Sequence, residues 1–478
     1  MAAERAGVPA VVNTCQEFVT QAHEVNKLGG LPWEPVVMYP GHIDTYSLEQ
    51  RLTYISELVA PGNEEALTTP IEAAAAVAEP PETTIAFKGT FEEVLDFYRE
   101  KMCSDGLPII PPTVEKVGEF LKYTDYPPDA ILGRAMPPSY REATPWAVAV
   151  NGVMAGCRPE YMPVLIGLAK CFADPKFTVQ DSSSTPGWET LSILNGPIIK
   201  QLGFNYECGV MTAGYQANTS VGRFWKLFQR NLLEIRVEKT DKGSFGRNWL
   251  TVLAENDDFC REIGWNPLSV QRGFEAGDNV VTTMSFMGRI YDPNTKGDTA
   301  EFHLAELGSH YIKSIMSAPS PMTSPTKSIL IAHTPIIAGV LAKSGYSKED
   351  VRRYFAEVKI TAAEFDAQTA LRGGETGTDP SAAPLASLCE IGTLDKELFC
   401  ATTDPNRMVP LVNSEEEILI VVTGDPGRNR NMIIVDNQYQ GPATSMKIEL
   451  PKNWDALYAD SQLKKDMDNM PPRQFPCL

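Results

Sequence analysis

The stretch Ala143–Ala173, ATPWAVAVNGVMAGCRPEYMPVLIGLAKCFA, is the feature around which the rest of the chain has to be arranged. It reads as two apolar helices broken by one short polar turn. Thr144 suits the N-cap of the first helix and Pro145 its first position. Apolar side chains recur at Trp146, Val148, Val150 and Met154, and Gly156 is a natural stop. Pro159 opens the second helix, with Glu160 in its first turn and Met162, Leu165, Ile166 and Ala169 as its buried face. Cys157 therefore falls just before a helix N-terminus, beside the fixed charge of Arg158. Both neighbours favour thiolate over thiol. The alternative is that Cys157 is a small buried hydrophobe, as free cysteines commonly are.

Composition narrows the function classes. The 478 residues are 43% hydrophobic and 22% charged, as expected of a globular chain with a sizeable core. The net charge of −19 argues for solubility and against nucleic acid or an anionic membrane as a partner. No apolar run approaches the ~18 residues of a membrane span, and the first residues, lacking a basic stretch followed by an apolar one, are not expected to be a secretion signal. The nine cysteines are scattered and odd in number. They predict free thiols in a reducing, cytoplasmic setting instead of a disulfide framework. No internal repeat is apparent.

The first residues predict an αβαβα order. Val8–Val12 reads as a strand. Thr14 and Glu17 form a T-x-x-E capping box opening a helix, with Cys15 in its first turn. A second strand is expected over Pro35–Tyr39, followed by Pro40-Gly41-His42, and Ser47 with Gln50 caps a helix through Leu58. Two strands make no stable open sheet. Residues 1–68 are thus expected to be a partial Rossmann-like unit, completed by another chain or a later segment. A linker over 69–88 then leads to a large α/β (α+β) main domain over 89–478.

Several segments of that domain carry candidate chemistry. Asp105-Gly106-Leu107-Pro108 with Pro111-Pro112 is a stiff extended path that either lines a site or connects elements. Phe177–Val179 is a possible strand. Leu191–Leu194 is a strand ending in Asn195-Gly196-Pro197, whose amide and backbone N–H groups suit an anionic or carbonyl group. Asn218 and Arg223 lie near the start of an amphipathic helix over Tyr215–Phe228. On a helix at Glu301–Ile315, His303, Glu306 and His310 share one face and form a candidate divalent-metal set, or are ordinary solvated histidines. Residues 372–384 read as a long flexible loop of the kind that forms lids. Ile418–Val422 is a strong strand running into TGDPGRNR, where Arg428 is a candidate anion ligand.

Asp105-Gly106-Leu107-Pro108 with Pro111-Pro112-Thr113, AVNGVMAGCRPEYMPVL at 149–165, LNGP at 194–197 and EILIVVTGDPGR at 417–428 together resemble the long form of the bacterial UGSC-family (seleno)proteins. Residues 1–65, with GVPAVVNTCQEF and VVMYPGHID, are similar to the tail of the glycine reductase selenoprotein B group. The U-G-S-C motif itself does not stand in this sequence. The resemblance implies a subunit of a thiol-dependent reductase or lyase acting on a carbon–heteroatom bond of a small molecule. Cys157, Arg158, Cys15, His42 and Asp105 would be its catalytic residues, and Asn195, Gly196, Asn218 and Arg428 its substrate contacts. It also implies a smaller partner chain that inserts its strands beside Val8–Val12 and carries the redox motif. Two alternatives stand beside it: a metal-assisted hydratase or lyase using His303, Glu306 and His310, perhaps with His333, and a non-catalytic scaffold subunit.

Overall fold

The computed structural model describes residues 2–70, 80–185, 187–247, 252–287, 290–316, 328–373, 384–392, 394–436 and 441–468. The chain is mixed α/β. Its first two strands, β1 (Val12–Cys15) and β2 (Val36–Tyr39), are parallel and joined through the helix Val19–Leu28. That is the crossover a parallel pair needs. The expected strand at Val8–Val12 is displaced toward β1. Thr14 is therefore extended and forms no capping box, and Cys15 closes the strand instead of opening a helix. The box at Ser47 and Gln50 is present with both of its hydrogen bonds. Helical structure then runs on to Thr68. The lid expected at 372–384 lies largely outside the described residues.

The main body is built on two four-stranded sheets. The first contains β3 (Glu189–Asn195), β4 (Leu253–Ala254), β5 (Val280–Phe286) and a fourth strand from late in the chain. Next come β6 (Ile290–Tyr291), β7 (Ile329–His333), β8 (Lys359–Thr361), β9 (Met408–Pro410), β10 (Ile418–Val422), β11 (Asn431–Val435) and β12 (Thr444–Lys447). Among the described residues, strands β8 and β9 pair only with each other. The two large sheets run β12-β5-β3-β4 and β6-β11-β7-β10.

These orders are the same fold written twice. In each sheet the first strand pairs parallel with the second and antiparallel with the third (β3 with β4 and β5, β7 with β10 and β11). The fourth strands are exchanged. β6 follows β5 in the chain but pairs with β11, and β12 follows β11 but pairs with β5. The expectation of no internal repeat is therefore corrected. The two halves share little more than the P-I-I that follows β3 and β7 (Pro197-Ile198-Ile199 and Pro335-Ile336-Ile337), too short to be read as a repeat.

Strand alternation makes four layers. Leu191 and Ile193 of β3, Leu330 and Ala332 of β7, and Leu419 and Val421 of β10 meet in one cluster between the sheets. On the outer side Leu194 joins the cluster built by Pro145–Ala155, Met162–Ala173 and Gln216–Asn231. Ile329, Ile331, Ile418 and Ile420 join that of Ala300–Met316, Pro335–Lys343 and Lys348–Ala356. Strands buried on both faces read as continuous apolar runs, as β10 does.

The helix pair is placed as its sequence demands. Thr144 accepts from Ala147 N, Pro145 is at N1, and Gly156 ends the helix at φ +80°. The second helix is preceded by a 3₁₀ turn, Pro159–Tyr161. The strand expected at Phe177–Val179 is replaced by two short 3₁₀ turns. Cys389 and Cys400 are joined in a disulfide, so the expectation of free thiols throughout is corrected at that pair. No helix among the described residues is long and apolar enough to cross a membrane.

Candidate functional site

In open parallel sheets, ligands sit beyond the carboxyl ends of the strands. Beyond β3 and β4 the chain makes two turns, Asn195-Gly196-Pro197 and Glu255-Asn256-Asp257. Gly196 holds φ +101°, and a Cβ there would lie 2.5 Å from Asp278 O. Only glycine fits that close approach. Ile198 N donates to Asn279 Oδ1 (2.9 Å), which starts the following short helix. Asn256 caps the helix Asp257–Glu262 by accepting from Phe259 N at 3.1 Å.

These turns surround a buried carboxylate. Glu255 is fully buried. Its Oε1 accepts from Lys348 Nζ (2.7 Å) and Val422 N (2.9 Å), and its Oε2 from Leu268 N (2.6 Å) and Asn195 Nδ2 (2.7 Å). Lys348 is itself 3% exposed and also donates to Asn266 O. An ion pair this deep persists because its remaining hydrogen-bond capacity is filled. Glu255 thereby ties both sheets together: Val422 ends β10, and Asn256 N donates back to Val422 O at 2.7 Å.

Asp257 stands beside this hub and differs from it. Its Oδ1 accepts from Asn195 Nδ2 (2.8 Å) and its Oδ2 from Gly196 N (2.6 Å). Burial, and then the negative charge of Glu255, push its carboxyl up to about 6. Asn195 thus donates to both carboxylates with one amide, leaving its Oδ1 buried with no partner among the described residues. Asp257 lines a cleft of ≈ 240 Å³ together with Gly196, Pro197, Lys200, Tyr206 and Arg261. At its mouth Lys200 and Arg261 both pair with Asp258. A carboxyl that titrates near neutrality can take or return a proton, and the two exposed cations suit an anionic substrate.

A second perturbed acid lies at the opposite end of β3. Burial pushes Glu189 up to about 7 although Lys226 and Trp225 Nε1 donate to it. It shares a cleft of ≈ 330 Å³ with Asp105. Burial would raise Asp105, but the bidentate Arg223 (2.8 Å at each oxygen) outweighs it and holds the carboxyl below its ordinary value. Asp105 is thus a structural anchor that clamps the proline-rich segment to the helix Gln216–Asn231.

Cys157 is buried in the helical cluster, and burial pushes its thiol up to about 12 despite Ser220 and Arg223 nearby. The expected acidic thiol is corrected. The 3₁₀ turn separates it from the helix proper, and Arg158 turns to Glu160 at 2.6 Å. Asn218 is buried and clips the chain, accepting from Asn205 N and donating to Asn205 O and Val252 O. Its amide is thereby committed to holding these two segments together. Cys15 is the last residue of β1 and His42 follows the carboxyl end of β2, and that unit touches the main body where Gln21 Nε2 donates to Thr240 O at 2.7 Å.

The proposed metal set is also corrected. His303 points into the core while Glu306 is exposed. Its Nδ1 meets Thr295 Oγ1 (2.6 Å) and its Nε2 meets Gly297 O (3.0 Å), so neither ring nitrogen is open to a metal. Asn431 Nδ2 donates to the same Thr295 hydroxyl, and its Oδ1 meets His333 Nδ1 at 2.7 Å. Both histidines are thus links in one buried hydrogen-bond chain, and burial pushes His333 down to about 4. Among the described residues no group of three His, Cys, Asp or Glu side chains could hold a metal ion.

Glu255, Asp257 and Lys348 escaped the sequence reading. Asn256-Asp257 before an apolar run is a helix-cap signal, and that hid its other role. Comparison with family models, curated proteins and solved structures finds no match.

Proposed function

We propose that the chain is a proton-transferring enzyme of the lyase or isomerase type, acting on a small anionic molecule in the cleft beyond β3 and β4. Asp257 is the general acid–base. Lys200 and Arg261 hold the substrate's anionic group, released from Asp258 as it enters. Asn195 and Gly196 N orient the Asp257 carboxylate, and Glu255 with Lys348 fixes the wall behind it. The observation that carries this reading is a carboxyl raised to about 6 at a cleft mouth bearing two cations. Thiol chemistry at Cys157, which the family resemblance implies, is not favoured by a thiol pushed up to about 12. The test is hydrogen exchange from D2O into a panel of small 2-oxo and 2-hydroxy acids, followed by NMR. Exchange that disappears in D257N supports the assignment. Exchange undiminished in D257N, or none with any member, counts against it.

A second reading concerns residues 1–68, as a unit completed by a smaller partner chain. Leu48, Leu52, Ile55 and Leu58 stand exposed along the helical stretch 48–58, and Val8 and Met38 are exposed on the β1–β2 unit. Among the described residues β1 and β2 pair only with each other. Open edges beside apolar surface invite strand addition. Light scattering on the chain alone tests this: a stable monomer at ~100 μM, where unprotected edges should associate, argues against the partner.

A further inference from the structure

The duplicated sheets put a second set of carboxyl ends in the molecule, beyond β7 and β10. The pairing registers give the correspondence residue by residue. Asn195 opposes Val280 as His333 opposes Asn431, and Leu194 pairs with Ala254 as Ala332 pairs with Val421. Counting onward, Gly196 matches Thr334, Pro197 matches Pro335, Glu255 matches Val422, and Asp257 matches Gly424. The position therefore keeps the geometry of the first cleft and has lost both of its carboxylates.

What replaces them has a different chemistry. A cleft of ≈ 380 Å³ opens at this end. Val210, Met211, Ala332 and Met432 give it an apolar floor, and Asp292, Asp425, Arg428 and Arg430 stand on its walls. Arg428 is 75% exposed and only loosely paired with Asp425, at 4.0 Å. Among the described residues neither Arg430 nor Asp292 has an ion-pair partner, although both line the same cleft. Two cations and two anions around an apolar floor leave no net charge to attract a simple anion or cation. They complement a ligand that carries one charge of each sign. Thr334, on the same wall, has its hydroxyl committed to Arg428 O and Arg430 O, which fixes the loop bearing both guanidiniums.

We propose that the cleft beyond β7 and β10 is a second binding site, for a small apolar zwitterion of the hydrophobic amino acid type. Arg430 and Arg428 take the carboxylate, where a planar guanidinium matches its two oxygens. Asp292 takes the ammonium group, and the side chain lies on Met211 and Met432. This does not depend on the reaction assigned to the first cleft.

Methyl NMR of the full chain labelled at methionine methyls tests the site, with the Met211 and Met432 signals assigned by Met→Leu variants. L-norleucine is the probe, and hexanoate and hexylamine carry one of its charges each. The expected result is a saturable shift of both methyls by norleucine, with at least tenfold weaker effects of the other two. Arg430→Ala and Asp292→Asn, both at exposed positions, should each weaken norleucine at least fivefold. The proposal is overturned if neither methyl shifts, if hexanoate or hexylamine binds as tightly as norleucine, or if either variant leaves the affinity unchanged.

Discussion

Replacing Asp257 by Asn isolates the carboxyl on which the proposed chemistry depends. A carboxyl held at about 6 in the folded chain, against the ordinary aspartate value of 3.8, binds its proton more tightly folded than unfolded. Its contribution is therefore most favourable below pH 4, falls as the pH rises through about 6, and is flat above. With those two values, the loss between pH 5 and pH 8 is on the order of 1 kcal/mol. The Asn variant lacks this loss. Its fixed cost, from a carboxamide that cannot accept from both Asn195 Nδ2 and Gly196 N, is the same at every pH. The difference in Tm between D257N and the parent should therefore move in favour of the variant from pH 5 to pH 8. For a body of this size the shift is about 2 °C. Melting curves at four pH values, with Asp258→Asn at the exposed rim as control, decide it. A difference independent of pH, or moving the other way, would mean that Asp257 titrates as an ordinary carboxylate and would refute the assignment.

Lys348→Met should cost about 3–5 kcal/mol by leaving Glu255 charged and unpaired in the interior. A matched Glu255→Gln, Lys348→Met double variant should recover part of that, and unchanged melting of the single variant would contradict the buried pair. Cys157 should react with iodoacetamide at pH 7 roughly tenfold or more slowly than the exposed Cys208; equal rates would show that the thiol is reachable and ionised. Gly196→Ala should cost about 1–3 kcal/mol from backbone conformation alone, before any clash, and a normal melting temperature would mean that the turn can relax away from Asp278.

The local sequence determined what local forces decide. Thr144, Pro145 and Gly156 set the ends of the first core helix, because caps and stops act within a turn of their own position. Ile418–Val422 was legible as a strand because five consecutive apolar residues suit a strand buried on both faces. The Asn195-Gly196-Pro197 turn was legible too, and its amide does meet carboxylates, but those of its own chain.

The tertiary structure decided what depends on partners distant in the chain. The acid–base candidate is raised by burial and by Glu255, which is in turn held by Lys348 and Val422 from the other half of the molecule. No spacing along the chain encodes that enclosure. The same holds in the negative for Cys157 and His303. Each has the local pattern of a functional residue, yet packing closes the thiol away from water and hydrogen bonds occupy both ring nitrogens. The duplication was invisible for a related reason. A sheet is specified by alternation and burial, which many sequences satisfy. Strand order, register and the exchange of β6 and β12 are set by which edges meet in space, and only the folded chain brings those edges together.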